Sequence, residues 1–98
     1  MSESTTNNDL APEIIEAHEE SLRLSRTEGA ERDMEKAATF MLKAAEGGHP
    51  RAQTNLGYLY LVGEGVEKNP SEGLRWLSAA EEQGELQAQF NLAQLYLG

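Results

Sequence analysis

Apolar residues recur at helical spacing in five segments of the chain, which are separated by glycine, proline and polar turns. In the third segment Ala52, Leu56, Leu59 and Tyr60 fall at i, i+4, i+7 and i+8, the pattern of a buried helical face. The pattern predicts an all-α chain of about five helices. We expect them over Pro12 to Arg26, Met34 to Glu46, Pro50 to Gly63, Pro70 to Gln83 and Leu86 to Leu97.

The ends of the predicted helices carry recognisable capping residues. Asp33 is the expected N-cap of the second helix, and Asn69, followed by Pro70, is the expected N-cap of the fourth. Gly48 and Gly84 are expected to end the second and fourth helices, because glycine takes the left-handed conformation at little cost.

A glycine stands inside the third helix, at position 57. It should cost about 1 kcal/mol relative to alanine. We therefore expect a neighbouring helix to approach closely there.

The chain repeats itself after 36 residues. When residues 36–61 are laid over 72–97, ten of the 26 pairs are identical. A fixed period of about 20 to 50 residues is typical of solenoids. The identical pairs are Ala44/Ala80, Glu46/Glu82, Gly48/Gly84, Ala52/Ala88, Gln53/Gln89, Asn55/Asn91, Leu56/Leu92, Leu59/Leu95, Tyr60/Tyr96 and Leu61/Leu97.

The first helix is not a copy of the later ones at this period, and we interpret it as an N-terminal cap. Its predicted apolar stripe is Ala11, Ile15, His18 and Leu22. Residues 1–9 are polar and aperiodic and predict a disordered tail. We expect the tail at 1–9, the capping helix and loop at 10–32, and one full repeat with part of a second at 33–98.

The net charge of −9 lies mainly in the N-terminal third: residues 1–35 carry ten acids and three bases, whereas 36–98 carry seven acids and five bases. Such a field repels phosphate, so nucleic acid and anionic membranes are poor partners, and it attracts a basic protein surface. Solubility alone is the more ordinary explanation of such a charge, because a negative charge is common among soluble proteins. The sequence has no cysteine, no signal-peptide pattern and no apolar run of about 18 residues, from which we expect a cytoplasmic protein without membrane insertion.

The loop Gly63-Glu64-Gly65-Val66, together with Leu56-Gly57, Tyr60, Trp76 and Ala88-Gln89, resembles the Sel-one-like repeat, a branch of the tetratricopeptide superfamily. The resemblance covers about residues 33–98. It implies a right-handed α/α superhelix of antiparallel helix pairs, whose first helices line a concave groove that binds proteins or peptides. It further implies an adaptor or scaffold without catalysis.

One stripe of the third helix is suited to binding. Its members are Arg51, Asn55, Tyr58 and Val62, at i, i+4, i+7 and i+11, and the fifth helix has Gln87, Asn91 and Gln94 at the equivalent positions. An asparagine amide both donates and accepts, so Asn55 and Asn91 could clamp an extended peptide backbone. Alternatively, the two asparagines form hydrogen bonds only to neighbouring helices or loops within the solenoid.

Catalytic, cofactor and metal sites are not predicted. His18-Glu19 lacks the second histidine of a zinc-binding H-E-x-x-H motif. We therefore expect His18 to lie at an interface between helices. His49, beside Pro50, is expected to be solvated. Phe90, Leu95 and Leu97 on the fifth helix have little cover. Either the natural chain continues past Gly98, or this helix is a contact surface through which the protein forms a homo-oligomer.

Overall fold

A computed structural model describes residues 10–26 and 30–97, and this part of the chain is built from helices alone. The helices are α1 (Pro12–Ser25), α2 (Ala30–Glu46), α3 (Pro50–Val62), α4 (Pro70–Glu82) and α5 (Leu86–Leu97). Each helix packs against the next, and α3 also touches α5. The three-residue turns at 47–49 and 83–85 are of the length that joins antiparallel helices. The predicted all-α helical solenoid is confirmed. The tail predicted at residues 1–9 lies outside the described residues.

The start of α2 differs from the prediction. The helix begins at Ala30, so Asp33 lies inside it and is not its N-cap. An acid in the first turn still favours the helix, because the N-terminal end of the helix dipole is positive. Asn69 behaves as predicted: its side chain accepts the Glu72 N–H at 3.3 Å. The starts of α2 and α4 therefore do not keep the 36-residue period.

The face that α1 buries is also different from the predicted one. The fully buried residues are Ala17, Ser21 and Leu24, at i, i+4 and i+7, with Ile14 packed beside them. The predicted stripe is partly buried at Ile15, His18 and Leu22 and exposed at Ala11. The prediction followed side-chain hydrophobicity and therefore passed over Ser21, whose hydroxyl is satisfied by the His18 carbonyl at 2.7 Å.

Small side chains make up much of the core. Ala37, Ala44 and Ala52 are completely buried, which allows α2 and α3 to approach closely, and the larger Leu56 side chain is completely buried in the same cluster. A second cluster follows between α4 and α5 and is formed by Leu77, Ala80, Ala88 and Leu92. The core thus has two clusters, and α4 contributes to both, with Trp76 in the first and Leu77 and Ala80 in the second.

The loop after α3 explains the G-x-G-V motif. Gly63 ends α3 in the left-handed conformation (φ 76°), and its N–H bonds to the Leu59 carbonyl at 2.7 Å. Gly65 also has φ +76° and passes so close to α2 that an added Cβ would lie 2.4 Å from the Met34 carbonyl oxygen. Val66 then packs on the core. The motif therefore fastens the loop to the preceding helix pair.

The exposed large apolar side chains gather at the C-terminal end of the described chain. Five of them lie on α5, namely Leu86, Phe90, Leu95, Tyr96 and Leu97. This bears out the prediction that this helix has little cover. Across residues 10–26 and 30–97, no helix has both the length and the apolar character that a membrane span requires.

Candidate functional site

A groove of about 470 Å³ runs across α1, α3 and α5. Its floor is apolar and is formed by side chains that are almost fully buried, among them Met34, Met41 and Leu59. Its rim is formed by hydroxyl, amide and guanidinium groups. The residues that line it are Leu22, Ser25, Met34, Met41, Arg51, Thr54, Asn55, Tyr58, Leu59, Gln87 and Asn91.

The structure brings together five of the seven residues predicted for the binding groove: Arg51, Asn55, Tyr58, Gln87 and Asn91. Gln94 lies in an adjoining cavity of about 280 Å³, which shares Tyr58 and Asn91 with the groove. Val62 is exposed but lines neither cavity.

The two asparagines have different surroundings. Asn91 accepts a hydrogen bond from the Gln87 side chain at 3.1 Å, one turn earlier on α5. Within residues 10–26 and 30–97, the Asn55 side chain has no hydrogen-bond partner, although it is partly buried at the groove. An amide held at a groove without a partner has its donors and acceptor available for a ligand.

Arg51 is the one charged side chain among the described residues that line the groove. Its guanidinium lies 3.6 Å from the Glu85 carboxylate at the start of α5. Glu85 also accepts a hydrogen bond of 2.6 Å from the buried Thr54 hydroxyl on α3. The carboxylate thus joins α5 to α3 and partly neutralises the only cation of the groove wall. The acidity of the chain is not concentrated in the groove.

The contribution of α1 to the groove was not predicted. Leu22 and Ser25 form one wall, beside Met34 and Met41 of α2. The sequence contains a signal that the buried face of α1 corresponds to that of α3, because Ala17, Ser21 and Leu24 stand 35 residues before Ala52, Leu56 and Leu59, one fewer than the general period.

His49 is buried, contrary to the prediction that it is solvated. Only 3% of its surface is exposed, its ring centroid lies 3.9 Å from that of His18, and its Nδ1 accepts the Ala52 N–H at 3.4 Å. The histidine is therefore both the N-cap of α3 and a contact with α1. The interfacial position predicted for His18 is correct.

The two histidines have lowered basicity. Burial, reinforced by the positive fields of His49 and Arg51, lowers the pKa of His18 to about 4. Burial and the Arg51 guanidinium also lower the pKa of His49. Both imidazoles are neutral at pH 7. The described residues contain no cluster of three or more His, Asp or Glu side chains that could hold a metal ion.

Comparison with protein families supports the repeat found in the sequence. The family model of the Sel1 repeat matches residues 21–49, 50–85 and 86–98. No curated protein has a significant match to the chain. The second and third matches begin at the starts of α3 and α5, so both are the first helices of their units, and the groove lies on them. The chain belongs to the Sel1 repeat family.

Proposed function

We propose that the protein is a non-catalytic adaptor or scaffold, which binds an extended segment of another protein in the groove of α1, α3 and α5. Sel1 repeats are generally protein–protein interaction modules. The observation that carries the proposal is the Asn55 amide, which stands at the groove without a hydrogen-bond partner among the described residues. The neighbouring Tyr58 ring, half exposed, offers an amphipathic surface of the kind enriched at interfaces.

Asn55 and Asn91 hold the bound segment through hydrogen bonds to its backbone. Asn55 offers two donors and an acceptor, and Asn91, whose oxygen already accepts from Gln87, offers its two donors to the peptide groups of an extended chain. Apolar side chains of the segment contact the floor of the groove and the adjoining cavity at Tyr58 and Phe90. The negative charge of the N-terminal third attracts basic residues that flank the segment and raises the rate of association.

The proposal is tested by affinity capture from a lysate of the source cell, followed by binding measurements with the purified partner. Three baits are compared: the natural chain, Asn55→Ala/Asn91→Ala, and Gln89→Ala, which removes an exposed amide of α5 outside the groove. We expect a partner that the natural chain and Gln89→Ala retain and the double variant loses. Its Kd for the double variant should rise at least tenfold, while the melting temperature changes little. Equal retention by all three baits would refute the clamp.

A second candidate function is self-assembly through α5. The helix carries five exposed large apolar side chains and no charged residue. Sedimentation measurements over a range of concentrations distinguish the two functions, because a self-assembling chain gains mass as its concentration rises. Phe90→Arg should then give a monomer, whereas a constant monomeric mass of the natural chain would exclude this role.

A further inference from the structure

We propose that the contact between His18 and His49 is an acid-sensitive joint, which holds α1 against α3 at neutral pH and loosens when the imidazoles are protonated. The proposal concerns the stability of the solenoid and goes beyond binding in the groove. Because α1 forms one wall of the groove, protonation of the two histidines would also change the shape of the groove.

The geometry of the contact leaves no room for two positive charges. The ring centroids are 3.9 Å apart, with an angle of 39° between the ring planes. His18 Nε2 is buried and has no hydrogen-bond partner among the described residues. A proton added to this nitrogen would create a buried cation without an acceptor, which is costly.

Protonation of His49 would disturb the start of α3. Its Nδ1 accepts the Ala52 N–H, so the neutral ring carries its proton on Nε2. A second proton on Nδ1 would turn the acceptor into a donor that faces another donor. It would also place a positive charge at the positive end of the helix dipole.

The charges around the joint oppose protonation. Besides burial, the positive charge of the Arg51 guanidinium, in the first turn of α3, lowers the pKa of both histidines. His49 has the same effect on the pKa of His18. The nearby carboxylate of Glu85, at the turn before α5, pairs with Arg51. Within residues 10–26 and 30–97, no carboxylate forms an ion pair with either imidazole.

The direction of the pH effect follows from the two states of the chain. An unfolded histidine has a pKa of 6.5, whereas burial and the neighbouring cations lower the pKa of His18 to about 4 in the folded chain. Between these values the unfolded state binds more protons, so the free energy of unfolding is highest above pH 6.5 and falls as the pH drops. For His18 the unfolding equilibrium constant should rise on the order of tenfold between pH 7 and pH 5.

Urea unfolding of the intact chain at pH 7, 6 and 5 tests the proposal. The natural chain is compared with His18→Gln and with His18→Gln/His49→Asn, since asparagine is a non-titrating N-cap that can replace the His49 acceptor. We expect the midpoint of the natural chain to fall with the pH, His18→Gln to lose part of this dependence, and the double variant to lose most of it. Equal pH dependence of all three proteins would overturn the proposal.

Should the double variant not fold, an NMR titration of the two histidine rings in the natural chain gives the answer. We expect His18 to titrate near pH 4 and His49 below its ordinary range, with faster amide exchange in α1 and the first turn of α3 as they titrate. Two titrations near pH 6.5, without faster exchange, would overturn the proposal.

Discussion

Gly57 of α3 and Gly73 of α4 face each other so closely that neither position has room for a methyl group. A Cβ added at Gly57 would lie 2.9 Å from the Gly73 carbonyl oxygen, and one added at Gly73 would lie 2.8 Å from the Gly57 carbonyl oxygen. The close approach expected at Gly57 from the sequence is confirmed, and Gly73 is its counterpart.

Alanine at either glycine should destabilise the protein, although alanine favours a helix. The gain of about 1 kcal/mol in helix propensity is outweighed by overpacking against a backbone oxygen, so we expect the free energy of unfolding to fall by about 1 to 2 kcal/mol. Urea denaturation of Gly57→Ala and Gly73→Ala measures the change. The control is Ala93→Met at the equivalent, exposed position of α5, which should change stability by less than about 0.5 kcal/mol. Stabilisation by both alanines would contradict the packing described here.

Gln53 and Gln89 are identical in the repeat but should respond differently to substitution. Gln53 is buried, donates to the Ala45 carbonyl at 3.1 Å and accepts from the Gln83 side chain at 3.0 Å, whereas Gln89 is exposed. Gln53→Ala should lower the free energy of unfolding by about 1 to 3 kcal/mol, because it leaves buried polar groups unpaired. Thermal and urea unfolding should show a change within about 0.5 kcal/mol for Gln89→Ala. Equal losses at both positions would mean that the side-chain hydrogen bonds of Gln53 do not contribute to the free energy of unfolding.

The hydrogen bond between Thr54 and Glu85 should stabilise the junction of α3 and α5. Thr54 is 1% exposed and its hydroxyl lies 2.6 Å from the carboxylate. Thr54→Val keeps the shape of the side chain and removes the donor, which should cost about 1 to 2 kcal/mol. A double-mutant cycle with Glu85→Ala isolates the interaction, and Thr39→Val, at an exposed position of α2, is the matched control. A coupling energy near zero would refute the role of the bond.

Alanine substitutions at Gly65 and Gly84 distinguish the cost of backbone strain from the cost of a steric clash. Both have positive φ, but an added Cβ at Gly84 has no atom within 4 Å, whereas at Gly65 it would meet the Met34 carbonyl oxygen at 2.4 Å. Gly84→Ala should cost about 1 to 2 kcal/mol from the left-handed backbone alone. Gly65→Ala should cost about 1 to 3 kcal/mol more, because the loop must move away from α2. Similar losses for the two variants in urea denaturation would contradict this account.

The repeat period and the glycine turns were enough to predict five helices and the groove face of α3 and α5. They could not predict that α2 begins at Ala30, because the capping preference of Asp33 is a weak local signal that does not exclude a helix starting a turn earlier. The burial of His49 was not predicted because residues in turns are usually exposed. In this protein α1 covers the turn, and His18 contacts His49 there. The wall formed by Leu22 was missed because α1 was interpreted as a cap, so its side chains were not compared with the groove stripe of α3.

His49 and Glu85 stand 36 residues apart at the same place in successive units, and each reaches back to the first helix of the preceding pair, His49 to His18 and Glu85 to Thr54. The two junctions therefore use different chemistry, two imidazoles in tilted contact in one and a hydroxyl with a carboxylate in the other. Exchanging or duplicating whole units would place side chains from different junctions opposite each other, for example His49 opposite Thr54. The repeats look alike in sequence, yet their order along the chain is fixed by these junctions. An array lengthened by design would have to carry each junction as a matched pair.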